Sequence, residues 1–155
     1  MSDTVDAIKA FTQIGFERLE RATKDLKETQ IDWKSCTEAN TIRWILTHLS
    51  QELHVYIPRI LSGNREYKPE GWPEDYVGNV SYSLEKIMGD LEKGRDDLMK
   101  KLDKLTDESL AEEIEFWRGK RKREYYLMLL ISEIVHHEGQ IAAILGVDKR
   151  MKGQQ

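Results

Sequence analysis

Three residues in two separate segments have the chemistry of a metal site: His48, Glu133 and His137. Glu133 and His137 are four residues apart, so on a helix their side chains lie on one face, about one turn apart. A second helix that carries His48 would add a ligand from another direction. Two imidazoles and a carboxylate suit zinc or another borderline divalent ion, and three protein ligands leave one position for water or a substrate atom. The spacing therefore predicts a site at which a metal does chemistry.

The neighbours of these residues on a helical wheel extend the prediction. Glu133 and His137 are about 40 degrees apart on the wheel, with Tyr126 between them. Glu52 follows His48 by one turn and is a candidate general base or fourth ligand. The alternative is that both histidines lie at the edge of the core and make ordinary hydrogen bonds. Residue types and spacings alone leave both interpretations open.

Composition indicates a soluble, mostly helical protein. The 155 residues fit one domain spanning residues 1–155, which is long enough to bury a core without disulfides. Charged residues make up 34% and hydrophobic residues 39%, and many charges alternate with Leu and Ile at helical spacing. The formal net charge of -4 argues against a nucleic-acid partner, because such proteins carry a basic excess that neutralises phosphates.

The sequence also predicts a cellular location. The single cysteine, Cys36, cannot form an internal disulfide. The first residues lack the basic start and apolar core of a signal peptide, and no segment approaches the roughly 18 consecutive apolar residues that a membrane helix needs. We therefore expect a cytoplasmic protein with no membrane partner.

Apolar residues recur at three- and four-residue steps in four segments, which predicts four helices. The first spans residues 4 to about 29. The second follows an N-cap at Asn40 and runs to about residue 61, with a kink or an early end at Pro58. The third spans about 81–105 and the fourth about 121–145, ending at Gly146 before a loose tail that starts after Asp148. Because no strand signal stands beside them, the sequence predicts an all-α fold, a four-helix bundle.

Two long connections leave the path of the chain through the bundle open. Residues 64–80 have the prolines and glycines of a loop, in which Trp72 is a candidate lid. Residues 106–120 form a connector that we expect to pack partly against the bundle. Several aromatic residues are candidates for a pocket around the metal, with packing in the core or an interface as the alternative: Trp44, Tyr56, Trp72, Trp117 and Tyr126.

Two motifs together resemble the DinB-like superfamily, also called the DinB/YfiT-like metalloenzymes. They are Asn40-Thr-Ile-Arg-Trp-Ile-Leu-Thr-His48-Leu and His136-His137-Glu138-Gly139-Gln140-Ile141. The resemblance covers nearly the whole chain and includes the pattern Leu-x-x-Leu-Thr-Asp-Glu-Ser-Leu at 102–110. It implies a four-helix bundle whose three ligands bind zinc, nickel or a similar divalent ion in a cleft. Because members are often dimeric, we expect a homodimer.

The resemblance implies a metal ligand at each of three positions of this chain. His48 matches the first ligand and His137 the third, whereas Glu133 stands where the family usually has histidine. Glutamate can still ligate, and it gives the His2Glu set of catalytic zinc sites, but it lowers the charge of the site by one unit. His136 points about 100 degrees away from His137 and is an outer partner of the site or a structural residue. Gln140 is a hydrogen-bond partner that orients the site or a buried amide between helices.

The resemblance suggests two reactions on a small-molecule substrate. One is thiol transfer, in which the metal activates a low-molecular-weight thiol, and the other is hydrolysis. The alternative is a non-catalytic stress-response or small-ligand-binding bundle with a structural or absent metal. The departure at Glu133 favours this alternative, and a fourth protein ligand such as Glu52 would favour it too, because structural sites are fully coordinated by protein.

Overall fold

The structure, a computed structural model, describes residues 3–153, and most of them are helical. The helices are α1 (Asp3–Thr23), α2 (Ile42–Gln51), α3 (Ile57–Ser62), α4 (Leu84–Leu102), α5 (Asp107–Ala111) and α6 (Arg123–Gly153). A π-helical segment, Glu52–Tyr56, joins α2 to α3, and a 3₁₀ turn, Glu28–Gln30, follows α1. Two short strands, β1 (Glu113–Phe116) and β2 (Gly119–Lys122), lie between α5 and α6.

One hydrophobic core joins these elements. α1 packs along α6, and α2 packs against both α4 and α6. Every helix contributes buried apolar side chains to a single cluster, among them Ile8, Leu46, Ile60, Ile87, Leu110 and Ile131. Each such side chain contributes roughly 1.5–3 kcal/mol on burial, so packing fixes which faces of α2 and α6 meet. None of the helices in residues 3–153 combines the length and the apolar character that a membrane crossing requires.

The first helix is shorter than predicted, because α1 ends at Thr23 instead of near residue 29. The chain then turns through Glu28–Gln30 and buries Ile31 completely. Burial of Ile31 in the core requires the chain to leave the helical path that the periodicity extends.

The second helical segment starts one residue later than predicted and ends, as predicted, near residue 61. Its N-cap is Thr41, whose hydroxyl accepts from the Trp44 amide at 3.0 Å, and not Asn40. It does not end early at Pro58, because the helical path runs on through the π segment to Ser62. The Ile57 amide donates to the Glu52 carbonyl, five residues back, and this wider turn precedes the proline that lacks an amide donor.

α4 can approach the π segment closely because Gly94 has no side chain. A Cβ atom at this position would lie 2.8 Å from Cβ of Leu53 and 3.1 Å from Nε2 of His54. Gly94, which weakens the helix by propensity alone, therefore allows the packing of the π segment against α4. This contact sets the position of the wide turn in which Glu52 lies.

The connector at 106–120 contains α5 and a β-hairpin, so the prediction of no strand is wrong. β1 pairs antiparallel with β2, with Glu113 opposite Lys122 and Phe116 opposite Gly119. Trp117 and Arg118 form the two-residue tip, and Gly119 takes up the positive φ of 77° that follows it. The apolar side chains of β1 turn inward, because Ile114 and Phe116 are buried and their glutamate neighbours are exposed.

The last helix is longer than predicted. α6 continues through Gly146 to Gly153, so Gly146 does not end it and the tail after Asp148 is helical as far as residue 153. Residues 154 and 155 lie outside the described residues. Asp148 is 5% exposed and pairs with Lys152 at 2.8 Å, one turn later. This contact between a buried carboxylate and an exposed lysine supports the helix beyond the glycine that the sequence pattern marks as its end.

Candidate metal centre

The fold brings together the three residues that the sequence predicts as ligands. His48 lies on α2, and Glu133 and His137 lie one turn apart on α6. One nitrogen or oxygen atom from each of the three residues lies within 4.8 Å of the others. Because α2 packs directly against α6, the ligand atoms approach from two helices as the spacing predicts.

Contacts outside the site hold the two helices in place. Arg43, in the first turn of α2, is buried and pairs with Asp32 at 2.7 Å, and it also donates to the Tyr82 carbonyl. On α6, Glu138 follows His137 directly and pairs with Arg18 of α1 at 3.0 Å. Each ligand-bearing helix is therefore tied to another segment close to its ligand.

His137 is oriented with one ring nitrogen toward the site. Its Nδ1 lies 2.7 Å from Oε1 of Gln140. An amide oxygen only accepts, so Nδ1 carries a proton, and in the neutral imidazole, the form that ligates a metal, Nε2 carries a lone pair. Nε2 is buried, has no hydrogen-bond partner among the described residues, and lies 3.3 Å from Oε2 of Glu133. Two acceptor atoms thus face each other without a proton between them.

This arrangement fits a divalent cation. A buried nitrogen without a partner costs about 1–3 kcal/mol, and a facing carboxylate oxygen does not relieve that cost. A cation satisfies both acceptors at once. Ligand atoms held tetrahedrally at about 2.0–2.1 Å from zinc lie about 3.3 Å apart, which matches the separation of His137 Nε2 and Glu133 Oε2. The donor set of two imidazoles and one carboxylate suits zinc, nickel and related ions.

His48 completes the set as a neutral imidazole. Its ring stacks on Trp44 with 4.9 Å between centroids and stands nearly perpendicular to the ring of His137, 5.0 Å away. Burial lowers the pKa of His48, and the neighbouring His137 lowers it further, although the charge of Glu133 acts in the opposite direction. A neutral imidazole is the form that ligates a metal.

Glu52 lies beside His48, at the start of the π segment. Its side chain is 7% exposed, with Oε1 3.5 Å from Nε2 of His48. Its other oxygen, Oε2, is buried and has no hydrogen-bond partner among the described residues. Burial raises the pKa of Glu52 to about 8, and the negative charge of Glu133 adds to the effect. The carboxyl therefore holds a proton near neutral pH while the site is free of metal.

A cleft of about 370 Å³ opens beside these residues. It is lined by His48, Glu52 and Glu133 together with Tyr56, Trp117, Arg118, Leu129 and Leu130. The volume is that of a pocket for a small molecule. The hairpin tip supplies the outer lining, where Trp117 is 53% exposed.

Two further residues that the sequence predicts near the site, His136 and Tyr126, do not line the cleft. His136 is exposed, and its ring contacts the ring of His137 edge to face at 5.0 Å. Tyr126 is fully buried and does not line the cleft; its hydroxyl accepts from the Arg118 amide at 3.1 Å and donates to the Gly119 carbonyl. It acts on the cleft through the hairpin tip that it holds.

Trp72 is not brought to the cleft. It stacks on His54 with 4.8 Å between ring centroids, and its indole nitrogen lies 3.5 Å from the side-chain oxygen of Gln51. Gln51 donates to the hydroxyl of Tyr56, which lines the cleft, whereas Trp72, Gln51 and His54 are not among the lining residues. The loop at 64–80 therefore covers the flank of the helix, and the lid predicted at Trp72 is not part of the cleft lining.

Three further residues line the cleft, and none of them was predicted as a site residue: Arg118, Leu129 and Leu130. Alternation in Glu113-Ile-Glu-Phe116, followed by Trp-Arg-Gly, is the pattern of a strand and a tight turn, and it is the signal that could have placed Arg118 at a hairpin tip. Leu129 and Leu130 belong to an apolar stretch of α6 in which periodicity does not separate cleft from core.

Comparison with known proteins identifies the family and the fold. The sequence pattern of the DinB superfamily matches residues 12–141. The chain belongs to the DinB superfamily. The resemblance of the two histidine motifs to this superfamily is thereby confirmed. Among curated proteins, no sequence matches this chain.

Two solved structures share the fold of this DinB-superfamily chain. A conserved protein from Enterococcus faecalis aligns with a TM-score of 0.69 and 16% identity, covering 93% of this chain and 95% of its own. A DinB-like protein from Bacillus subtilis aligns with a TM-score of 0.66 and 15% identity, covering 96% of this chain and 93% of its own. At these identities the likeness shows the fold alone.

Proposed function

We propose that this protein is a metal-dependent enzyme that uses a divalent ion, zinc or nickel, held by His48, Glu133 and His137. The substrate is a small molecule, and the nucleophile is a low-molecular-weight thiol or water. A divalent ion in this position lowers the pKa of a bound thiol or water, which supplies a nucleophile near neutral pH. We infer a four-helix bundle of the DinB type as the scaffold, from the packing of α1 on α6 and of α2 on α4.

The observation that carries this proposal is the buried, unpartnered Nε2 of His137. Gln140 fixes the tautomer of His137, and Glu133 presents a carboxylate oxygen to the same nitrogen at 3.3 Å. The structural alternative, an edge histidine with ordinary hydrogen bonds, accounts for Nδ1 but leaves Nε2 without a partner. A metal ligand accounts for both nitrogens.

The chain's own residues have separate tasks in this proposal. Glu52 holds or accepts a proton beside the site, since its raised pKa lies close to neutral pH. Tyr56, Leu129 and Leu130 supply an apolar wall that excludes water from part of the cleft. The triad whose ligand atoms lie within 4.8 Å of one another does not include Glu52, which supports an open position for the nucleophile.

A second candidate function rests on the burial of Glu52. Its Oε1 lies 3.5 Å from His48, so a modest movement of the side chain would add a fourth protein ligand. A fully coordinated ion is structural and not catalytic. In that case the protein is a non-catalytic bundle that binds a small ligand in the cleft.

Metal analysis of untagged protein tests the proposal. The parent, His48→Ala and His137→Ala are dialysed against a weak chelator, reloaded with zinc, nickel or manganese, and measured by elemental analysis. We expect about one equivalent in the parent and none in either variant. His136→Ala is the matched control, because this exposed histidine is adjacent to His137 and outside the triad. Absence of stoichiometric metal from the parent would refute the proposal.

Activity assays separate the two candidate functions. The metal-loaded parent is screened for transfer of small thiols to electrophiles and for hydrolysis of small esters and amides. Turnover that disappears in His137→Ala and persists in His136→Ala supports the enzyme. Stoichiometric metal without turnover, together with loss of metal in Glu52→Ala, favours a structural ion.

A further inference from the structure

We propose that the cleft selects a substrate with an apolar, ring-sized body and a carboxylate, and that Arg118 binds the carboxylate. This inference rests on the proposed function, because it names the class of molecule that the metal site acts on. It follows from the position of the hairpin tip, whose Arg118 was not predicted as a site residue. The two tip residues, Trp117 and Arg118, both line the cleft.

Arg118 is the cation that lines the cleft, and among the described residues it has no acidic partner; Arg121, which also has none, lies outside the cleft lining. Lys120 pairs with Glu113 at 3.4 Å, and Lys122 pairs with Glu124 at 3.7 Å. Within residues 3–153, no carboxylate lies within 4 Å of the Arg118 guanidinium. Its one hydrogen bond is from Nη1 to the Tyr125 hydroxyl at 3.3 Å. The other N–H groups of the guanidinium remain for a ligand, and their fork geometry matches a carboxylate.

The backbone of Arg118 is held in place before any ligand binds. Its amide donates to the hydroxyl of Tyr126 at 3.1 Å, and the same hydroxyl donates to the Gly119 carbonyl. Tyr126 is buried in α6 and its ring contacts that of Trp117 at 5.1 Å. The tip is therefore fixed to the helix that carries Glu133 and His137, and affinity at Arg118 is not lost to ordering the turn.

The wall between Arg118 and the metal triad is apolar. Trp117 exposes 53% of its surface, and Leu129, Leu130 and Tyr56 line the same cleft. An exposed indole beside leucine side chains is suited to a ring or a short branched chain. A volume of about 370 Å³ accommodates a molecule of that size.

Charge gives the ligand one orientation. The inner end of the cleft carries the carboxyl groups of Glu52 and Glu133, and the outer end carries Arg118. When the reacting group of the ligand binds at the triad, a carboxylate at its far end reaches the outer end of the cleft, where Arg118 attracts it.

Two thiols that differ only in a carboxylate test this inference. Cobalt-loaded protein is titrated with benzyl mercaptan and with para-(mercaptomethyl)benzoate, and thiolate binding is followed by the visible absorption of cobalt. The rigid ring prevents the carboxylate from reaching the same ion as the thiol. We expect the acid to bind roughly tenfold more tightly, as a charge-assisted hydrogen bond requires. Arg118→Gln abolishes that preference, and Arg121→Gln, on the same hairpin but outside the cleft lining, keeps it.

A metal-free arm separates failure of this inference from failure of the metal site. The unloaded protein is titrated with para-methylbenzoate, and the indole N–H signal of Trp117 is followed by NMR. A saturable shift in the parent that is lost in Arg118→Gln supports carboxylate recognition by Arg118. If this shift is seen but cobalt does not bind, the proposed function is refuted and the recognition of the carboxylate is not. Equal affinity for the two thiols, or a preference that survives Arg118→Gln, overturns the inference, as does the absence of an Arg118-dependent shift.

Discussion

Nε2 of His137 lies 3.3 Å from Oε2 of Glu133, and no hydrogen bond joins them. Gln140 explains this relationship. Its amide oxygen accepts a hydrogen bond from Nδ1 of His137, so in the neutral imidazole the lone pair of Nε2 is directed toward the carboxylate. The two atoms are one helical turn apart on α6, so the helix itself sets their distance. A cation shared with His48 is the arrangement that satisfies both.

Substitutions of Glu133 test its role as a ligand. We expect Glu133→Ala to abolish stoichiometric zinc binding, because it removes one of three protein ligands. Glu133→His supplies the histidine that the resemblance to the superfamily implies at this position and is expected to keep one equivalent of metal. Competition with a chromogenic chelator measures both affinities. Retention of parental affinity in Glu133→Ala would show that Glu133 is not a ligand.

Gln140 is expected to tune the site without belonging to it. Gln140→Ala removes the acceptor that fixes the tautomer of His137, and losses of this kind reduce metal affinity about 10–100-fold. The stoichiometry stays at one ion, which distinguishes Gln140 from the ligands. Gln140→Glu keeps an acceptor at Nδ1 and serves as the matched control. An unchanged affinity in Gln140→Ala would assign Gln140 to interhelix packing.

Glu52 makes the stability of the metal-free protein depend on pH. The pKa of Glu52 is raised from its ordinary value of 4.5 to about 8, so between these values the folded state holds a proton that the unfolded chain has lost. The free energy of unfolding therefore falls as pH rises through this window, by at most about 1.4 kcal/mol per pH unit, and levels off above pH 8.

Comparison with Glu52→Gln isolates this effect. Urea unfolding of chelated protein at several pH values gives the free energy for each protein, and we expect the difference between variant and parent to grow in favour of the variant from pH 5 to 8. The difference cancels the contribution of His48, whose lowered pKa acts in the opposite direction. Glu20→Gln, at an exposed position on α1, is expected to follow the parent. A constant difference across the window would contradict the burial of an acidic Glu52.

Tyr126 is expected to act through the hairpin. Tyr126→Phe removes two hydrogen bonds to the tip and leaves the Arg118 amide and the Gly119 carbonyl without this partner, at a cost of about 1–3 kcal/mol in unfolding free energy. Tyr125→Phe, at a 40% exposed position, is the control and should cost less. Denaturant unfolding at fixed pH gives both values. Equal effects of the two substitutions would mean that the buried hydroxyl does not hold the tip.

The sequence could predict the helices and the triad because both depend on local periodicity. A spacing of four residues places Glu133 and His137 on one face in any helix, and the apolar stripe around His48 directs α2 toward the core. The ends of the helices were predicted less well. Ile31, which is fully buried after the end of α1, and Asp148, which is buried beyond Gly146, lie in surroundings that only the folded chain creates.

The hairpin and the outer cleft could not be placed in the same way. Each strand has four residues, and only Ile114 and Phe116 alternate with charge, which is too short a pattern to outweigh the surrounding helices. Trp72 and Tyr126 were both considered for the pocket, yet one stacks on His54 and the other fastens the tip. Aromatic residues have several partners available, and long-range packing decides among them.

Diffraction from crystals of the metal-loaded protein, collected on both sides of the absorption edge of the metal, tests the central claim most directly. The account predicts a single strong anomalous peak per chain, bonded to Nε2 of His137, to a carboxylate oxygen of Glu133 and to a nitrogen of His48, with Glu52 outside bonding distance. A peak at another place, or no peak in crystals grown with excess zinc, would contradict it.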